Sequence, residues 1–149
     1  MTGVEFDFVV PNSLEALGLY ERIFDVERLE VTAYEAGRNE AVFTMYGTRF
    51  HLLDENPDYF LIAPRPGDPI PLWLNILVPD TQAAFDKAVQ AGCIVAQPVT
   101  DMAAMGVKTA MFKDPYGYIW MLTEIIKEVS FEERLQILEE QINQESDNG

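Results

Sequence analysis

Apolar residues recur along the chain with a period of two, then of three to four, then of two again, and the whole series occurs twice. Over 4–10, Phe6, Phe8 and Val10 alternate with Glu5, Asp7 and Val9, which predicts a strand. Pro11 stops it, having no N–H to give to a ladder. Asn12 with Glu15 three residues on forms a capping-box pattern, and Leu14, Leu17, Tyr20 (or Glu21) and Phe24 then predict an amphipathic helix over 13–24. Strands follow over 28–34, 40–46 and 48–54, separated by Ala36-Gly37-Arg38-Asn39 and by Gly47.

The second half repeats this order. A strand over 72–78 is stopped by Pro79, and Asp80 is placed to cap a helix striped by Phe85, Ala88 and Val89, with Gly92 as its C-cap glycine. Strands over 94–99, 107–113 and 118–125 complete the half, the last entered through the turn Asp114-Pro115-Tyr116-Gly117. Val10-Pro11-Asn12 and Val78-Pro79-Asp80 lie 68 residues apart, and Tyr46-Gly47 and Tyr116-Gly117 lie 70 apart, which points to a duplicated βαβββ unit. The expected organisation is one α+β domain over 1–126, with repeats 4–54 and 72–125 and a proline-rich linker over 55–71. Over 127–149, Ser130 and Glu133 form another capping box before the stripe Phe131, Leu135, Leu138 and Ile142. So short a helix is marginal alone in water and should dock on the body or on a second subunit, with the last five or six residues disordered.

Sorting the first and last strand of each unit by parity gives one apolar and one mixed face. The apolar sets are Phe6, Phe8 and Val10; Phe50 and Leu52; Leu72, Leu74, Ile76 and Val78; and Trp120 and Leu122. The mixed sets hold Glu5 and Asp7; Arg49 and His51; Trp73 and Asn75; and Met121 and Thr123. Unpaired charge is too costly for a dry core, so this face reads as a partly wet, ligand-sized concavity. The alternative is a solvated face held by pairs such as Asp7 with Arg49.

The net charge of −15 repels phosphate backbones and anionic lipid heads, which argues against nucleic-acid and membrane partners and favours a cationic ligand. No apolar run is long enough for a membrane span, and no leader pattern follows Met1. Cys93, the only cysteine, suits a cytoplasmic setting and reads as a small buried hydrophobe beside a helix end. Met102, Met105 and Gly106 read as a plain hairpin or a flexible loop at the mouth of the concavity.

The paired units, the Val-Pro-Asn and Val-Pro-Asp strand ends and the run Asp114-Pro115-Tyr116-Gly117-Tyr118-Ile119-Trp120 together resemble the vicinal oxygen chelate (glyoxalase/bleomycin-resistance/dioxygenase) superfamily. The run and the tail over 130–134 are similar to its PhnB-like branch, with Tyr118 where that branch carries histidine. The resemblance implies a cupped mixed sheet, pairing of units across chains in a homodimer, and four metal-ligand slots at Glu5, His51, Trp73 and Met121. Trp73 has no donor lone pair and a thioether is a soft ligand, so only Glu5 and His51 suit a hard or borderline ion, with Asp7 the one further donor near them.

The expected function is therefore small-molecule binding without a metal or other cofactor. The ligand pocket would be Glu5, Asp7, Arg49, His51, Trp73, Asn75 and Met121, and the ligand cationic or aromatic. Three alternatives stand beside it: a metal-dependent lyase or dioxygenase of the superfamily, a metal-free enzyme with His51 as general base, and a non-catalytic dimeric module.

Overall fold

The computed structural model describes all residues, 1–149, and shows the two units as two separate four-stranded mixed sheets. The first unit runs β1 (Glu5–Val10), α1 (Ser13–Ile23), β2 (Val26–Val31), β3 (Glu40–Met45) and β4 (Thr48–Asp54). The second runs β5 (Trp73–Leu77), α2 (Thr81–Gln90), β6 (Ile94–Met102), β7 (Val107–Lys113) and β8 (Ile119–Ile125), and α3 (Phe131–Asp147) ends the chain. The sheet orders are β1-β4-β3-β2 and β5-β8-β7-β6, so β1 and β5 are edge strands, each paired in parallel on one side only.

The registers repeat with the spacing read from the sequence. Glu5 pairs with Arg49 and Asp7 with His51 in the first sheet; Trp73 pairs with Ile119 and Asn75 with Met121 in the second. Glu5 thus corresponds to Trp73 and His51 to Met121. The last strand of each unit also carries an acid at or next to its end that ties it to the first turn of that unit's helix. Asp54 accepts from the backbone N–H and the hydroxyl of Ser13, both at 2.7 Å, and Glu124 accepts from the N–H of Thr81 at 2.8 Å.

Both helices start where their side-chain caps lie, with Asn12 accepting from Leu14 and Glu15 N–H and Asp80 from Ala83 N–H. Their buried faces differ in detail from the predicted stripes. In α1 they are Ser13, Ala16, Leu17, Leu19, Tyr20 and Ile23, Leu14 being only half-buried. In α2 they are Thr81, Ala84, Phe85 and Ala88, with Val89 exposed. Each helix touches its own sheet and the other helix as well, which widens and rotates the covered arc. The linker holds one 3-10 turn at Pro57–Tyr59 and a buried Ala63. α3 runs to Asp147, so only Asn148 and Gly149 lie beyond the helix.

One core joins the units. Phe8 and Phe50 of the first sheet and Tyr20 and Phe24 from α1 and its C-terminal end all pack on Trp120 of β8, with ring centroids 5.0 to 6.4 Å apart. Asp114 is buried at this seam. It accepts from Tyr20 Oη (2.7 Å), Trp120 Nε1 (2.8 Å) and the N–H groups of Tyr116 (2.9 Å) and Tyr118 (3.0 Å). Burial raises its carboxyl above the ordinary value although these donors pull it down. The helix-bearing faces of the two sheets therefore meet, and the two mixed faces point outward.

Candidate functional site

The seven predicted pocket residues fall into two groups. Glu5, Asp7, Arg49 and His51 share one outward face, and Trp73, Asn75 and Met121 lie on the corresponding face of the other sheet. No hydrogen bond or ion pair joins the groups within the chain. The seven residues therefore do not form one pocket within a single chain. Parity places each residue on the right face, but the units pack through their helices, so the faces do not close on each other.

The first group is a charge cluster centred on His51. Its Nδ1 lies 3.1 Å from Glu5 Oε1 and 3.6 Å from Asp7 Oδ2, while its Nε2 lies 3.5 Å from Glu40 Oε2. Glu5 also accepts from the Arg49 guanidinium, so the arginine pairs with Glu5 rather than with Asp7. Arg49 holds the Glu5 carboxyl below its usual range, whereas burial, then Glu5 beside it, raises Asp7. Glu40 escaped the sequence reading. The signal was there in the β3–β4 hairpin: Val42 sits opposite His51, which places Glu40 on the same face as its diagonal neighbour.

His51 Nε2 is buried and has no hydrogen-bond partner. Each ring nitrogen faces a carboxylate, so the ring lies among three acids, Glu5, Asp7 and Glu40.

Glu5, Asp7 and His51 bring ligand atoms within 4.8 Å of one another, one donor more than the two expected. They do not fit an ion shared between the units. Arg49 already neutralises Glu5, and the corresponding positions Trp73 and Met121 supply no hard donor.

The second group is apolar and open. Trp73 is 57% exposed and Leu77 59%. Asn75 Oδ1 accepts from Thr123 Oγ1 at 2.8 Å, which leaves its amide N–H groups free. Along the free edge of β5 runs a groove of about 570 Å³, lined by Leu72, Trp73 and Asn75 with Phe6, Met45 and Phe50. An exposed edge strand bearing large apolar side chains is a surface that natural sheets normally cover.

Two sequence readings outside the site resolve here. Cys93 is buried, and burial pushes its thiol up to about 12. Met102 to Gly106 is a hairpin, one of the two readings expected: Met102 pairs with Val107 across the connection between antiparallel β6 and β7. It contains a 3-10 turn at Ala103–Met105, and Gly106 O accepts from Ile126 and Lys127 N–H at the root of α3.

The sequence profile of the Glyoxalase/Bleomycin resistance protein/Dioxygenase superfamily matches residues 4–122. The chain belongs to this superfamily. An uncharacterized protein of Mycobacterium bovis is 26% identical over 129 residues, covering 84% of each chain. One of Mycobacterium tuberculosis is 26% identical over the same length, covering 84% of this chain and 75% of its own. Among solved structures, TioX from Micromonospora sp. ML1 superposes with a TM-score of 0.64 at 17% identity, over 84% of this chain and 99% of its own. The fosfomycin resistance protein FosX from Listeria monocytogenes does so with 0.64 at 12% identity, over 90% and 98%. At these identities the structures share the fold. No helix of the chain is long and apolar enough to cross a membrane.

Proposed function

We propose that the chain is a metal-independent small-molecule-binding member of the superfamily, acting as a homodimer whose ligand cup is completed across chains. The observation that carries this reading is the outward direction of both mixed faces, each ending in an unpaired edge strand. βαβββ units of this superfamily commonly pair across chains. Such pairing sets Glu5, Asp7 and His51 against Trp73 of the partner subunit and covers the apolar edge of β5. An acidic wall opposite an indole favours an aromatic cation, held by charge and by the ring face. The charge of −15 and the lone buried cysteine suit a cytoplasmic protein without nucleic-acid partners.

His51 as general base is the second reading, and the Glu5 contact at 3.1 Å favours it by orienting the ring. Against it stands the buried Nε2 facing Glu40, which leaves no open nitrogen for a substrate proton.

The test is titration of the protein with a panel of aromatic cations while Trp73 emission is followed. Trp120 is fully buried, so Trp73→Phe serves as the control. Quenching that Trp73→Phe abolishes and that weakens with salt is expected. No response across the panel would overturn the cationic ligand. A stoichiometric divalent metal whose stabilisation His51→Ala removes would overturn metal independence.

A further inference from the structure

The C-terminal helix presents a surface that the shared cup does not use. None of the residues of α3 is buried, although the helix is firmly rooted. Ile126 N–H and Lys127 N–H both bond to Gly106 O, at 2.8 and 3.2 Å. A side chain at Gly106 would collide with Lys127 O at 2.3 Å, so the chain passes close against this glycine. Beyond the root, the only residue of α3 that is not exposed is Ile137.

Phe131, Leu135, Leu138 and Ile142 are exposed and spaced four, three and four residues apart. That spacing matches the seam of alternating d and a positions of a two-stranded coiled coil, here over fewer than two heptads. At about 100° per residue the seam lies roughly a third of a turn away from Ile137, so the helix's own body leaves it free. Its flanks differ in charge. Glu132 and Glu139 lie on one side, Arg134 and Gln141 on the other.

We infer that α3 pairs with α3 of a second copy as a parallel, in-register two-stranded coiled coil. The flanks decide the direction. A parallel two-fold pair sets each flank against the opposite flank of its mate, bringing Arg134 to Glu139 of the partner subunit and the reverse. An antiparallel two-fold pair sets like against like, and Glu132 and Glu139 would face Glu139 and Glu132 of the partner subunit. The inference does not depend on the cup, because it rests on residues outside both sheets.

A Leu138→Cys chain tests it, since parallel pairing brings the two d positions within reach of a disulfide while Cys93 stays buried. Oxidation of the full-length variant should give a covalent dimer on a non-reducing gel, and the wild type none. Arg134→Glu should weaken association about tenfold, two exposed pairs turning from attraction to repulsion, and adding Glu139→Arg should restore it. Absence of the covalent dimer would overturn the pairing. So would linkage that forms only when Leu135→Cys and Leu138→Cys chains are mixed, because that is the antiparallel arrangement. Position 138 is solvent-exposed, so the variant keeps its fold, and the cross-link reports on α3 whether or not the cup forms.

Discussion

Replacing Asp114 by alanine is expected to cost the protein about 3–5 kcal/mol, and the size follows from what the carboxylate receives. Two of its four donors, Tyr20 and Trp120, are fully buried, and the other two are backbone N–H groups of the turn that leads into β8. An orphaned buried donor costs about 1–3 kcal/mol, and the two aromatic ones have no water to turn to. The charge itself supplies little, since burial raises the Asp114 carboxyl above its ordinary value; the loss comes from the donors left behind. Tyr20→Phe removes one donor and orphans nothing, because three bonds to Asp114 remain, so it should cost about 1–2 kcal/mol. At about 2–4 °C per kcal/mol for a chain of this size, thermal melts at one fixed protein concentration should fall by about 10 °C for Asp114→Ala and a few degrees for Tyr20→Phe. A melt of Asp114→Ala within two or so degrees of wild type, or the reverse order of the two variants, would refute the view that Asp114 ties the units together.

Other outcomes follow from the same structure. Cys93, with its thiol raised to about 12 by burial, should react with a thiol reagent only as fast as the protein unfolds, and should become reactive at once in denaturant. Burial alone would raise Asp54, but hydrogen bonds from Ser13, Asn39 and Gly37 bring it below its ordinary value; its stabilisation is therefore present above the unfolded value near 3.9 and lost as pH falls through the folded one, so Asp54→Asn should flatten an acid unfolding curve below about pH 4. Because Asp7 is raised and Glu5 lowered, cation binding should weaken on acidification first through Asp7, and Asp7→Asn should remove that upper step. Gly106→Ala, with a positive φ of 72° and no room for a Cβ, should lower stability by about 1–3 kcal/mol and loosen the root of α3, seen as faster proteolysis after Lys127.

The strands and their faces were legible because proline and period two act locally. Pro11 and Pro79 mark the ends of β1 and β5, and alternation alone sets Glu5, Asp7, Trp73 and Asn75 on the face opposite Phe8 and Leu74. The duplication was legible too, since the two offsets fix both parallel registers. What covers each face was not. Alternation tells which side of a strand is apolar, but whether the units meet through their helices depends on Tyr20, Phe24 and Phe50 reaching Trp120, contacts between residues far apart in sequence. Within one chain the seven pocket residues accordingly lie on two half-faces. Glu40 was missed for a smaller reason, as only the first and last strands of each unit were sorted by parity.

The shared cup can be tested most directly with mixed dimers that carry Trp73 in one chain and Trp73→Phe in the other. Glu5→Gln with Asp7→Asn is then placed in one chain or the other, and Trp73 emission is titrated with an aromatic cation. If the cup forms across chains, quenching is lost when the acids are removed from the chain without Trp73 and kept when they are removed from the chain that carries it. Quenching lost only when the acids are removed from the Trp73 chain itself would contradict a cup shared between subunits.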